Sequence, residues 1–172
     1  ALALQSTCHA VNACASVDQA RAAIHANIER IARQVPASKA FIGPELKLVV
    51  LPEYFATSYP LGDAIPEWAS RAGFDMDGAE YERLGRIAQD NGVYLVSNAY
   101  ERDPHFPGLY FQSQVVLDDS GNQVLRYRRL VSLFAPSPHD VWDRYLDVYG
   151  IDGVFPVART ERGNLACIAS EE

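Results

Sequence analysis

Lysine is nearly missing from this chain. Lys39 and Lys47 are the only two, the remaining thirteen Lys/Arg residues are arginines, and so no side-chain ammonium exists after residue 47. Cysteine is scarce as well: Cys8, Cys14 and Cys167 are odd in number and include no C-x-x-C pair, which argues against a disulfide framework and a thiolate metal site. His9, His25, His105 and His139 are scattered without ligand spacing and read as ordinary surface or core histidines. No run approaches the roughly 18 apolar residues of a membrane span, and the start has no basic region followed by an apolar one. The expectation is a cytoplasmic protein without a membrane partner. Positive charge is in deficit, since 15 Lys plus Arg against 22 Asp plus Glu leave a net charge of -7. Nucleic acid and anionic membrane are poor partners for such a chain, which leaves small molecules and proteins.

What is present describes a globular chain: 172 residues, 48% hydrophobic and 22% charged, enough for a single domain over 1–172 with a sizeable core. Its most informative stretch is LVVLPEYF, Leu48 to Phe55. Consecutive large aliphatics suit a strand buried on both faces. Pro52 ends the ladder by removing a backbone donor, so Glu53 emerges just past the carboxyl end of a central strand, where open α/β sheets place ligands.

Around it the chain alternates. ALALQ at the start is a short strand. Ser16 and Gln19 have capping-box spacing, and Val17, Ala20, Ile24, Ile28, Ile31 and Val35 line one face of a helix that Pro36 is expected to stop, with a loop from Ala37 to Glu45. Phe55 to Gly78 reads as a long loop with short helical pieces, walling a pocket. Tyr81, Leu84, Ile87 and Ala88 give a second helix, stopped at Asn91-Gly92. Val93 to Ala99 is a strand. Tyr110 to Leu117 and Gln123 to Leu130 form a hairpin around Asp118-Asp119-Ser120-Gly121-Asn122. Phe134 to Gly150 is expected to be another pocket-side loop, and Gly163 to Ser170 a last strand. This order indicates a layered α/β fold.

In sequence order, LALQ, LVVLPEYF with ATSYP, NGVYLVSNAYER, QVVLDDSGNQVLRYRR and GNLACIASEE resemble the motifs of the nitrilase superfamily of carbon-nitrogen hydrolases. The resemblance implies a four-layer α-β-β-α sandwich, incomplete in this chain because family members run on past the equivalent of Glu172. It implies no cofactor, a small amide-like substrate, and a homo-oligomer, dimer or higher. The family uses a Glu as base, a Lys after a Tyr-Arg pair as electrostatic partner, and a Cys at a later strand end as nucleophile. The matching positions are Glu53, Arg129 and Ser170, so only the first keeps the family's residue. Cys167 lies three residues before Ser170, on the opposite face of a strand, and is expected to be buried core. Asp140 and Asp143 are nearest to the family's supporting acidic residue, and each reads as a solvated loop carboxylate.

The two replacements change the chemistry. A carboxylate and a thiol differ by about four pKa units, or roughly 6 kcal/mol, a gap that burial can narrow. A serine hydroxyl is far less acidic than a thiol, so a lone carboxylate activates it poorly. Arg129 keeps a positive charge able to steady an oxyanion, yet with a pKa above about 12 it is a poor proton donor. Two functions follow as expectations: a carbon-nitrogen hydrolase with altered chemistry, or a binding or scaffold subunit that keeps the pocket without turnover.

Overall fold

The computed structural model describes residues 1–132 and 135–169. Six strands form one sheet: β1 (Leu2–Ala3), β2 (Leu48–Val50), β3 (Phe74–Asp75), β4 (Tyr94–Arg102), β5 (Phe111–Leu117) and β6 (Gln123–Arg128). Their order is β1-β2-β4-β5-β6, with β3 pairing beside the end of β4. β1, β2 and β4 run parallel, and β4, β5 and β6 antiparallel, so β2 has a partner on each edge, as its apolar run requires. The Asp118–Asn122 turn closes the expected hairpin: Asp118 N–H donates to the Asn122 carbonyl at 2.8 Å.

Helices α1 (Val17–Ile42), α2 (Ile65–Ala72) and α3 (Ala79–Asn91) cover one face of this sheet. The anticipated stripe of α1 is buried against it through Ala20, Ile24, Ile28, Ile31 and Val35, while Val17 is exposed. Burying each isoleucine fully contributes about 1.5–3 kcal/mol. Ser16 caps the helix by accepting from Gln19 N–H at 3.2 Å. α3 buries Tyr81, Leu84, Ile87 and Ala88 and ends at Gly92 in the left-handed conformation (φ 55°, ψ 48°). Its Gly85 touches the hairpin turn so closely that a Cβ there would stand 2.6 Å from the Gly121 carbonyl oxygen, which fixes how helix and hairpin meet. The mixed α/β class is as expected, with a helix layer on a sheet layer.

Four local expectations are corrected. Pro36 does not stop α1, which continues to Ile42. Proline removes one ladder bond, but the helix is anchored on both sides of it, by buried Val35 and by Lys39, whose ammonium donates to the Asn91 carbonyl. β2 is not buried on both faces: Val49 is buried, whereas Leu48 is half-buried and Val50 exposed, because the second face of the sheet carries a thinner cover. That cover includes a separate antiparallel ribbon, β7 (Ala158–Thr160) with β8 (Gly163–Leu165). The last strand is therefore three residues long and pairs only with β7 among the described residues. The expected loop 134–150 contains instead a 3-10 turn, Pro138–Val141, and helix α4, Trp142–Tyr149.

α4 closes a charged nest at the far end of β4. Arg128, 1% exposed, donates to Glu101 Oε1 at 3.0 Å and lies 2.6 Å from Asp103 Oδ2. Arg126 reaches Glu101 Oε2 at 2.9 Å, and the Tyr149 hydroxyl donates to Asp103 Oδ2 at 2.6 Å. The Arg128 guanidinium also stands 4.6 Å from the Phe111 ring centre and 4.9 Å from that of Tyr149. Burial works against its positive charge, and the Glu101 and Asp103 carboxylates more than offset this, so its pKa is raised. Removing one partner of a buried ion pair strands the other charge. Arg128→Met is accordingly expected to cost about 3–5 kcal/mol of unfolding free energy, read from the urea midpoint at constant slope. A loss below about 1 kcal/mol would contradict this account.

Candidate active site

β2 delivers Glu53 as its sequence suggests. Leu51 N–H still bonds the Val96 carbonyl at 2.9 Å, Pro52 follows, and the chain leaves the sheet at Glu53. The turn beyond is tight: Tyr54 accepts backbone bonds from Thr57 N–H at 3.2 Å and Ser58 N–H at 3.0 Å. Tyr54 itself has φ 60°, costly for a bulky side chain and characteristic of functional sites. Its ring is held 5.8 Å from Tyr100 in a stack and 5.7 Å from Tyr59.

Arg129 follows the edge strand, one residue beyond β6, with its N–H bonded to the Gln112 carbonyl at 2.9 Å. The two predicted residues meet: Arg129 Nη1 lies 3.4 Å from Glu53 Oε1. Gln112 joins them, donating through Nε2 to Glu53 Oε1 at 2.6 Å and accepting at Oε1 from Arg129 Nη1 at 3.1 Å. Arg129 Nε is buried and has no acceptor among the described residues. The Tyr54 hydroxyl faces the same group, and burial, followed by the Glu53 charge, raises its pKa. Gln112 escaped the sequence reading. Nothing in the sequence singles it out, because Gln112, Ser113 and Gln114 are three consecutive polar residues of the same strand.

A cavity of about 240 Å³ opens beside Glu53, walled by Leu48, Val50, Val96 and Val116, with Asn98 also on its lining. Glu53 lines it and Arg129 does not, so the carboxylate links the cavity to the guanidinium. The segment after β8 forms another wall and brings Cys167 there, which corrects its placement as buried core. Strand alternation loses its premise there, because β8 ends at Leu165, before the cysteine. Burial pushes the Cys167 thiol up to about 11, so it stays protonated near neutrality. Ser170 lies outside the described residues.

The acidic candidates after Arg129 do other work. Asp140 accepts from Ser137 N–H at 2.7 Å and from its hydroxyl at 2.9 Å, a cap for the 3-10 turn. Those bonds hold its carboxyl below the usual carboxylate range. Asp143 sits in the first turn of α4. No group of three or more His, Cys, Asp or Glu able to hold a metal occurs among the described residues. No helix among them is long and apolar enough to cross a membrane.

Comparison with known proteins gives this geometry a setting. The family model for carbon-nitrogen hydrolases matches residues 9–170. A formamidase of Nitratidesulfovibrio vulgaris is 27% identical over 158 residues, which cover 84% of this chain and 46% of that protein. A formamidase of Bacillus thuringiensis is 28% identical over 115 residues, covering 66% and 33%. The chain thus spans less than half the length of these curated relatives. Among solved structures, Saccharomyces cerevisiae Nit3, a member of branch 10 of the nitrilase superfamily, shares the fold with a TM-score of 0.61 at 17% identity, over 84% of this chain and 49% of its own. The NitN amidase of Nesterenkonia sp. AN1 does so with a TM-score of 0.56 at 18% identity, over 94% and 53%. The chain belongs to the carbon-nitrogen hydrolase family, within the nitrilase superfamily.

Proposed function

We propose that this chain supplies the site of a hydrolase that cleaves the C–N bond of a small amide-like substrate, with Glu53 as base, Arg129 as charge stabiliser and Ser170 as nucleophile. The observation that carries the reading is the contact of Glu53 with Arg129 at the mouth of a cavity, in a chain of this family. The relatives named formamidase and amidase support an amide as the substrate class. In the proposed reaction Glu53 takes the Ser170 hydroxyl proton as the oxygen attacks the carbonyl carbon, and Arg129 bears on the oxygen that becomes negative. The proton then passes from Glu53 to the leaving nitrogen, since a guanidinium does not give one up near neutrality. Ammonia departs, and water releases the acid from the acyl-serine. The same reading proposes a cytoplasmic enzyme acting as a homodimer or higher oligomer.

Ammonia release from a panel of small amides tests it. Activity is expected in the parent and a loss of at least about 100-fold in Glu53→Gln and in Ser170→Ala. Equal turnover in all three would sink the assignment.

A second reading, a binding or scaffold subunit without turnover, is favoured by one feature. Serine and arginine stand where the family has cysteine and lysine, so both the nucleophile and the proton-donating cation are weaker. Restoring both, Ser170→Cys with Arg129→Lys, discriminates. If the pocket is intact and only the chemistry is weakened, the double variant gains amidase activity over the parent; no gain would mean that the pocket itself has diverged.

Cys167 offers a separate check. With Cys8 and Cys14 replaced by serine, its alkylation rate by iodoacetamide should rise about tenfold per pH unit from 7 to 9.5, because its thiol titrates near 11. A plateau below pH 9 would show a thiolate that the surroundings stabilise, and would reopen Cys167 as nucleophile.

A further inference from the structure

Asn98 stands in β4 opposite Gln114 of β5, and both residues line the cavity beside Glu53. Asn98 is 5% exposed, and its Nδ2 has no hydrogen-bond partner among the described residues. Its orientation is set by the turn after Glu53: Tyr54 N–H points at Asn98 Oδ1, 3.5 Å away, and turning the carboxamide over would set two donors against each other. The unpaired end is therefore the –NH₂ group, which can only donate. Buried polar groups are nearly always paired, and such an exception within a cavity wall marks a place where a ligand atom belongs. The surrounding walls, Leu48, Val50, Val96 and Val116, offer no acceptor from their side chains.

We infer that the Asn98 carboxamide is a specificity determinant that donates to a neutral acceptor oxygen carried on the acyl chain of the substrate. This rests on the hydrolase reading only in calling the ligand a substrate. With the scissile amide beside Glu53, the acyl chain has the cavity to occupy; of the two carboxamides that line it, Gln114 is only partly buried, whereas Asn98 is the buried donor left unpaired. The volume of about 240 Å³ fits a chain of a few heavy atoms. The Glu53 carboxylate lines the same cavity, so an anionic group in it would meet a like charge. The selected substrates are short amides whose acyl chain carries a hydroxyl, keto or second carboxamide oxygen. Purely aliphatic amides and amides ending in a carboxylate are disfavoured. A site built to pair a polar group discriminates strongly against an analogue lacking it, because its own donor is then left unpaired.

Two matched pairs read this out on the whole chain. 3-Hydroxypropanamide and butanamide have the same number of heavy atoms and differ in one acceptor; malonamide and malonamate differ in charge. Affinity is measured by ligand-observed NMR titration and turnover by ammonia release. The parent is expected to bind 3-hydroxypropanamide at least about tenfold more tightly than butanamide. Malonamide should likewise bind ahead of malonamate. In Asn98→Leu, which keeps the branched skeleton but has no donor, the first ratio should fall to about one. Asn98→Ala, measured alongside, gives the same answer should the larger apolar side chain disturb folding. A parent ratio near one, a ratio that survives both substitutions, or tighter binding of malonamate would overturn the inference. Selective binding without turnover would sink the hydrolase reading and leave Asn98 in its role, whereas turnover of all four amides with unselective binding would do the reverse.

Discussion

The nest around Arg128 fixes which way Arg129 faces. Neighbouring residues on a strand point to opposite faces, so once Arg128 is fixed between Glu101 and Asp103, Arg129 is turned toward Glu53. A slip of one residue in β6 that brought Arg128 to the place beside Glu53 would carry Tyr127 into the nest. A buried ion pair is weak evidence for net stability, because desolvation consumes most of the attraction. Its value here is register. The wrong register leaves Glu101 and Asp103 buried beside the wrong side chain, and that penalty is far larger than an apolar mismatch.

The other half of the site is positioned by strain instead of charge. Pro52 ends the ladder, and the chain turns through a left-handed Tyr54 whose ring is clamped by Tyr100 and Tyr59. The positive φ persists because aromatic packing and backbone bonds from Thr57 and Ser58 over-determine it. Trp68 and Tyr110 pack edge-on against Tyr100, so the turn rests on a rigid aromatic floor drawn from α2 and the sheet. Glu53 thus has little freedom to relax away from the cavity.

Much of this was legible in the residues. The apolar stripe from Ala20 to Val35, the Asn91-Gly92 stop, the Asp118–Asn122 turn and the strand ending at Pro52 are local signals, and tertiary structure had only to accept them. The misses share a cause: each depends on something distant. Whether a proline ends a helix depends on what holds the next turn, and Lys39 docks on the end of α3. α4 carried a readable period in Trp142, Tyr145, Leu146 and Tyr149, masked by the proline, histidine and aspartate before it. The extent of the last strand depends on its pairing partner, which here is the short β7. Gln112 was invisible because its role exists only once β5 lies between β4 and β6. Glu53 was legible from the strand that Pro52 ends, the position of Arg129 came from a resemblance, and their meeting at 3.4 Å required the fold.

The distances around Arg129 show how an arginine is held beside a carboxylate in the site proposed here. Charge-assisted bonds to a carboxylate usually measure about 2.7–2.9 Å, and at 3.4 Å Arg129 is close to Glu53 without gripping it. The shorter contact to the carboxylate, 2.6 Å, comes from Gln112, a neutral amide that orients Glu53 and leaves its charge intact. Gln112 also takes the nearer hold on Arg129, at 3.1 Å through its carbonyl oxygen. A neutral side chain therefore holds both members of the pair, beside a direct contact that is longer than either of its own bonds. The buried Arg129 Nε still has a hydrogen to give, with no acceptor among the described residues. An arginine held in this way keeps an open donor and a full positive charge beside a carboxylate, which is what stabilising a developing oxyanion asks of the position. In the proposed reaction such a guanidinium does not hand over a proton, so that step is assigned to Glu53.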